Sequence, residues 1–190
     1  MDLFIFTMGL TETWINKQDG TVYPTAPGTI AGTFDQSVYE FKNLSFPEII
    51  EDFREFRTVL KSIRQGSLPR FILTVSPVPL TGTASGKHVL QASTYSKSVL
   101  RAAAGHLSSN NSNVDYFPSY EVITNPASRS VFFSNNLRSV LESGVEIVMQ
   151  QFFAQHRQAD PTAKPNAEPK SQDDNVEVQC EEAMLEAFGQ

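Results

Sequence analysis

Three short apolar segments, separated by amphipathic stretches, constrain the fold of this chain more than any other feature. Residues Leu3 to Met8, Phe71 to Val75 and, more weakly, Val114 to Phe117 have the length and composition of buried strands, and each is followed by a turn signal. The intervening stretches are long enough for right-handed crossovers between parallel strands. The order β-α-β-α-β-α predicts an α/β fold with a parallel sheet and helices on its faces.

Helical periodicity supports this order. The first helix is expected to open at Pro47 and to stop near Gly66, the second to run from about Ser93 to Leu107, and the third to begin at Ser139, which forms a capping-box pattern with Glu142. The apolar residues that recur at three- and four-residue steps in the first helix are Ile49, Phe53, Phe56, Leu60 and Ile63. In the second helix, the stripe expected to approach the sheet is Tyr95, Val99, Ala102, Ala103 and Leu107, and the third helix is expected to bury Val145, Val148, Met149, Phe152 and Phe153.

A long connection, residues 19 to 46, separates the first strand from the first helix and contains several Pro and Gly residues. A connection of this length without its own element is uncommon in a compact domain and is typical of a lid or binding loop. A short irregular hairpin over the sheet edge is an equal alternative.

The composition changes after His156. Residues 160 to 176 are rich in Pro, Lys, Asp, Gln, Asn and Ala with almost nothing to bury, which is typical of disorder. We therefore predict an α/β domain over residues 1–156 and a disordered acidic tail over residues 157–190. Residues 177–188 are mildly amphipathic, so they predict either a fraying helix or a helix that docks on a partner.

Charge and cysteine content exclude several classes of protein. The net charge of −6 argues against a surface for nucleic acid or anionic membranes, because both require a basic patch. No signal peptide and no apolar stretch of about 18 residues is visible, so we expect a cytoplasmic protein without a membrane partner. The single cysteine, Cys180, allows neither an intrachain disulfide nor a cysteine zinc site. Three scattered histidines give no metal spacing, and we predict no metal and no cofactor.

Four short sequence words, in order between about residues 2 and 154, resemble the GSCFA family, a bacterial group related to the SGNH hydrolases. The words are TMGLTETW at 7–14, TVSPVPL at 74–80, TYSKSVLR at 94–101 and DYFPSYE at 115–121. The resemblance implies a flavodoxin-like, SGNH-type three-layer α/β sandwich. It also implies esterase or acyl-transfer chemistry, with acyl esters, including those on glycans, as substrates.

Two departures from the pattern bear on that chemistry, which needs a nucleophilic serine, a base and oxyanion donors. The Gly-Ser-Cys-Phe-Ala word that gives the family its name and resembles the serine-bearing turn is absent. The chain looks as though it begins at a later strand, so we expect an N-terminally truncated domain whose first strand has an unpaired edge and favours self-association. The Asp and His that many SGNH enzymes place near the C-terminus are replaced by Asn136 and Ser139.

Two functions therefore stay open. The first is an SGNH-like ester hydrolase or acyltransferase that is incomplete or inactive in this chain. The second is a non-catalytic carbohydrate-associated or protein-binding module that retains the fold without the triad.

The candidate site residues lie at predicted strand ends, where open α/β sheets bind ligands. Gly9, Thr11 and Glu12 stand where the SGNH pattern carries Gly-x-Asn-Asp, so the resemblance implies that the Gly9 amide and the Thr11 side chain contribute to an oxyanion hole. The alternative is that Gly9 permits a tight strand-to-helix turn and Glu12 favours a helix N-terminus. Ser76 ends the second predicted strand, and His88, in the following loop, is the best candidate for a general base unless it is an ordinary surface residue.

Three further polar positions, Tyr120, Glu121 and Arg138, belong to this group. Tyr120 and Glu121 could bind sugar hydroxyls, or Tyr120 could be buried with its hydroxyl bonded to Glu121. Arg138 could bind an anionic group or form a salt bridge. On the second helix, Lys97 is expected to face solvent or a ligand, as is the neighbouring Arg101.

Overall fold

The computed structural model describes residues 2–30 and 32–156. In chain order the elements are β1 (Leu3–Met8), β2 (Glu12–Asn16), β3 (Val22–Tyr23), β4 (Tyr39–Asn43), α1 (Phe46–Ile63), β5 (Arg70–Val75), α2 (Val89–Asn110), β6 (Val114–Tyr116), α3 (Ser119–Thr124), a 3-10 turn (Pro126–Ser128) and α4 (Glu142–His156). The predicted acidic tail, residues 157–190, lies outside the described residues.

The three predicted strands form one parallel sheet in the order β1-β5-β6. Leu3 pairs with Arg70 and Met8 with Val75 along β1 and β5, and Phe71 pairs with Val114 between β5 and β6. The crossovers between these strands contain α1 and α2. The prediction of an α/β fold with a parallel sheet is confirmed.

The two faces of the sheet pack against different helices, which gives three layers. On one face, Phe71 and Leu73 are fully buried and pack in one core cluster with Phe53 of α1 and Ala103 of α2. The small side chain of Ala103 lets α2 approach the sheet closely. On the other face, the alternate residue Ile72 contributes to a cavity wall together with residues of α4. The predicted three-layer arrangement is therefore confirmed for the described residues.

Helix α1 has the strongest local signals in the chain. Glu48 accepts hydrogen bonds from the backbone N–H of Ser45 at 2.9 Å and from its hydroxyl at 2.6 Å, and it forms an ion pair with Lys42 of β4 at 3.0 Å. The helix ends where Gly66, at φ +96°, donates its N–H to the carbonyl of Lys61. The helix is thus fixed at both ends by contacts with residues that are close to it in the sequence.

These contacts make the stability of the protein depend on the charge of Glu48. The Ser45 hydroxyl, the Ser45 amide and then Lys42 lower the pKa of Glu48 to about 2, below its ordinary value of 4.5. Because the folded-state pKa is the lower one, the stabilisation is present above about pH 4.5 and is lost as the pH falls towards 2. Glu48 is partly exposed, so solvent screening limits the effect to that of an ordinary helix cap, about 1 kcal/mol.

We expect Glu48→Ala to lower the free energy of unfolding by about 1 kcal/mol at neutral pH and to have little effect near pH 2, as measured by urea denaturation across that pH range. Glu55→Ala, at an exposed position of the same helix, is the control. A Glu48→Ala deficit that stays constant down to pH 2 would contradict this account.

Helix α2 is longer than predicted and turns a different stripe towards the core. It runs from Val89 rather than Ser93 and ends at Asn110, and Tyr95, which was expected to face the sheet, is 40% exposed. Ser96 is fully buried, and Lys97 is only 5% exposed. The prediction that Lys97 faces solvent or a ligand is therefore wrong, because its ammonium group reaches a backbone carbonyl at the end of β1.

Helix α4 begins three residues later than predicted, at Glu142, and much of its apolar face is open. The Ser139 hydroxyl accepts a hydrogen bond from the side chain of Asn136 at 3.0 Å, so the predicted capping box is not formed. Met149 and Phe153 are 41% and 52% exposed, and Val145 is similarly exposed. The prediction that these three residues are buried is wrong, whereas Val148 and Phe152 are partly covered.

The long connection contributes β3 and β4 to a second sheet, which is antiparallel, is centred on β2 and has the order β3-β2-β4. Trp14 of β2 lies opposite Phe41 of β4, with ring centroids 5.6 Å apart, and also contacts Phe34 at 5.2 Å. Such cross-strand aromatic pairs stabilise a short sheet. The connection is thus more regular than either the loop or the irregular hairpin that its sequence suggested.

Strand β1 is an edge of the parallel sheet within the described residues, since β5 is its only neighbour there. Its side chains Leu3, Ile5 and Phe6 are exposed, and Ile5 is 52% exposed. The predicted unpaired edge is therefore present in the described residues. Among those residues, no helix combines the length and the apolar character that crossing a membrane requires.

Candidate functional site

The turn between β1 and β2 lies at the carboxyl edge of the parallel sheet and is held by helix α2. The buried Ser96 hydroxyl oxygen accepts a hydrogen bond from the backbone N–H of Thr11 at 2.8 Å, and the Lys97 ammonium donates to the carbonyl of Gly9 at 2.8 Å. Because this turn leads into strand β2, Glu12 does not lie at a helix N-terminus. The alternative prediction, that Glu12 favours a helix N-terminus, is therefore wrong.

The Thr11 side chain is fully buried and already bonded. Its hydroxyl donates to the Asn43 side-chain oxygen at 2.6 Å, which ties the turn to the end of β4. A hydroxyl has one proton to donate. In this arrangement, Thr11 stabilises the turn and has no further proton for an oxyanion.

Gly9 is open to its surroundings. Its φ is not in the left-handed region, and a Cβ atom placed on it would meet nothing within 4 Å. Neither backbone conformation nor packing therefore requires a glycine here. The open space lets a ligand approach the backbone of the turn closely.

Two other predicted residues meet the turn. Glu12 accepts a hydrogen bond from the Thr83 hydroxyl at 2.6 Å, which attaches the loop before α2 to the start of β2. The backbone N–H of Ser76 donates to the carbonyl of Met8 at 2.9 Å, so Ser76 lies beside the end of β1. The structure thus brings Gly9, Thr11, Glu12 and Ser76 to one edge of the sheet.

His88 has a structural role in this arrangement. It is exposed and occupies the N-cap of α2, where its Nδ1 accepts the backbone N–H of Leu90 at 3.3 Å. His106 contacts Asn110 and the ring of Phe46, and His156 contacts Phe152. Within residues 2–30 and 32–156, no histidine ring is hydrogen-bonded to a serine hydroxyl.

Glu121 is bonded to different partners from those expected. Its carboxylate accepts a hydrogen bond from the Tyr116 hydroxyl at 2.7 Å and forms an ion pair with Arg101, whose guanidinium also lies 4.1 Å from the centroid of the Tyr116 ring. Burial, followed by the bond to the Glu121 carboxylate, raises the pKa of Tyr116 well above its usual range. Tyr120, the partner expected for Glu121, instead packs against the hydrophobic core.

Arg138 lies in the turn that precedes α4. Its backbone N–H donates to the Asn136 side-chain oxygen at 2.9 Å. The described part of the chain contains no ion pair of Arg138, and its Nε atom is buried without a hydrogen-bond partner there. No group of three metal-ligating side chains comes together in the same part of the chain.

Sequence reasoning missed three residues that shape the turn: Ser96, Lys97 and Asn43. The available signal was weak, because a lysine within a helical stripe is usually taken to be solvent-facing. The stronger hint was positional, since Ser96 and Lys97 belong to one of the four sequence words. Their contacts, however, reach more than 80 residues back along the chain.

The sequence matches the model of a known protein family. The model of the GSCFA family matches residues 1–152. The chain belongs to the GSCFA family. No curated protein and no solved structure matches it. The GSCFA match covers both sheets, the α2 contacts to the turn and most of α4, and it confirms the family predicted from the four sequence words.

Proposed function

We propose that this GSCFA chain carries the ester-binding part of an SGNH-like hydrolase or acyltransferase, with acyl esters, including those on glycans, as its ligands. The observation that carries this proposal is the turn at Gly9 to Thr11. The space beside Gly9 is open, and the backbone of the turn is held by hydrogen bonds to the side chains of Ser96 and Lys97 in α2. A backbone held rigidly in this way is the kind of group that binds a carbonyl oxygen without reorganisation.

The described residues do not pair a serine with an imidazole, and we therefore expect this chain by itself to turn over little or no ester. The Nδ1 atom of His88 already accepts the hydrogen bond from Leu90 that caps α2. General-base catalysis needs the base within hydrogen-bond reach of the proton that it removes. Because Nδ1 accepts that bond, Nε2 of the neutral ring carries the proton and can only donate, so His88 could act as a base only after releasing the Leu90 amide.

A second candidate is a non-catalytic module that recognises the carbohydrate itself. The bonded state of Thr11 favours it, because the hydroxyl that would assist an oxyanion is already committed to Asn43. The two candidates differ in what they recognise, since the first requires the acyl group and the second does not.

Saturation-transfer NMR with acetylated and deacetylated xylo-oligosaccharides separates the two candidates, alongside a p-nitrophenyl acetate hydrolysis assay. Binding that requires the acetyl groups, with hydrolysis no higher than in His88→Ala, is the expected result. Equal binding of both oligosaccharides would favour the non-catalytic carbohydrate module, and binding of neither would refute both. Hydrolysis that is lost in His88→Ala but kept in His106→Ala would show that the chain is a complete enzyme.

A further inference from the structure

An apolar groove lies between the parallel sheet and α4, on the face opposite α1 and α2. Its volume is about 370 Å³, within the range of small-molecule sites. Ile72 and Ile123 are buried in its floor, whereas Ile5, Val145 and Met149 are exposed. The groove is therefore a concave site that opens between β1 and α4.

The chemistry of the lining restricts what the groove can hold. None of its lining side chains is charged, and the polar ones are hydroxyls. A charged ligand would lose its hydration there without gaining an ionic partner, which is costly. The lining therefore favours a neutral ligand that is largely aliphatic.

One pair of hydroxyls offers a place for a polar group of that ligand. Thr74, near the end of β5, and Ser119, the first residue of α3, are hydrogen-bonded to each other inside the groove. The Ser119 hydroxyl also lies 3.3 Å from the carbonyl of Val75, a long and weak hydrogen bond. This weak bond can be exchanged for one to a ligand oxygen.

We propose that this groove binds the aliphatic chain of a neutral acyl ester, with the ester oxygens near the Thr74 and Ser119 hydroxyls. Ser76 lines the groove and also lies beside the end of β1, so the groove is continuous with the edge that carries the Gly9 turn. The assignment of an ester rests on the proposed function. It specifies that the acyl chain of the ligand has several carbons.

The test is a methyl-NMR titration of the full chain with ethyl butanoate, ethyl hexanoate and ethyl octanoate. We expect the dissociation constant to fall about fourfold for each added methylene, because each methylene is buried against aliphatic side chains. The methyl signals of Ile5, Val145 and Val148 should shift together. A dissociation constant that does not depend on chain length, or shifts confined to other parts of the protein, would overturn the proposal.

Variants that fill the groove provide the second arm. Val148→Phe places a ring in the groove and should weaken binding of ethyl octanoate at least tenfold, whereas Val59→Phe, at an exposed position of α1, should leave it unchanged. Val145→Phe at the exposed mouth serves the same purpose if Val148→Phe unfolds the protein. Wild-type affinity in a folded filling variant would refute the groove.

Two controls distinguish an ester in the groove from self-association and from binding at the Gly9 turn. Shifts of the same methyl groups with protein concentration alone would show that a second copy occupies the groove, and would overturn the proposal. Binding of the ethyl esters without binding of acetylated oligosaccharides would refute glycan esters as ligands in the proposed function and leave the groove intact. The reverse result would refute the groove alone.

Discussion

Replacing Phe71 by alanine is expected to lower the free energy of unfolding by about 3–5 kcal/mol, the usual cost of removing a buried phenylalanine ring. Phe71 is fully buried in β5, and its ring centroid lies 5.7 Å from that of Phe4, 5.6 Å from that of Phe53 and 6.3 Å from that of Phe56. The cavity would therefore open where β1, β5 and α1 meet. Domains of this size are stable by about 5–15 kcal/mol, so the loss is a large share of the total.

Urea denaturation measures this loss, and Phe153→Ala is the matched control. Phe153 is 52% exposed on α4, so the same substitution there should change the free energy of unfolding by about 0.5 kcal/mol or less. Similar losses in the two variants would show that Phe71 is not at the centre of the core.

The second large effect is expected for Ser96→Ala, which should cost about 1–3 kcal/mol because it leaves the buried N–H of Thr11 without its acceptor. Ser98→Ala is a close control, since Ser98 is exposed on the same helix and gains the same helix propensity from alanine. The difference between the two variants isolates the contact with the turn.

Hydrogen exchange gives the Ser96 prediction a local readout. The Thr11 amide should exchange slowly in the wild type and in Ser98→Ala, and much faster in Ser96→Ala. If Thr11 exchange is equally slow in all three proteins, the contact between α2 and the turn does not hold the turn in place.

The parallel sheet could be predicted because its signals are local. The apolar runs of β1 and β5 have the composition of strands, and Pro47 and Gly66 mark the limits of α1 within a few residues. Each of these signals is carried by the segment that forms the element, so no knowledge of distant contacts was needed.

The antiparallel sheet and the buried lysine could not be predicted in the same way. Strand β3 has only two residues, and β4 pairs with β2 across more than 20 residues through contacts such as Trp14 with Phe41. Lys97 can be buried because the carbonyl of Gly9, distant along the chain, accepts a hydrogen bond from its ammonium group. In both cases the structure depends on a contact with a residue that is distant along the chain. The local sequence around β2 or Lys97 gives no signal of that contact.

The exposed residues of α4 illustrate a third kind of difference. The spacing of Val145, Met149 and Phe153 correctly indicates one apolar face of a helix, but periodicity says nothing about how much of the neighbouring layer covers that face. Here an open groove separates part of that face from the sheet, so Val145 and Met149 line the groove and stay exposed.

The candidate site was predictable in position and not in detail. The residues at the carboxyl edge, Gly9, Thr11, Glu12 and Ser76, do come together, as strand ends of a parallel sheet should. Their hydrogen-bond partners, which determine what each group can still donate or accept, come from α2, β4 and the loop before α2. Catalytic and binding roles for these residues, and for His88, stay predictions.

The position of Trp14 has a practical consequence for spectroscopy. It is the single tryptophan of the chain, and its ring lies among Phe34 and Phe41 in the antiparallel sheet. Its fluorescence therefore monitors that small sheet, whereas far-ultraviolet circular dichroism is dominated by the helices around the parallel one. Coincident unfolding curves from the two signals would show that both sheets melt as one cooperative unit, and separated curves would show that the small sheet detaches first or last.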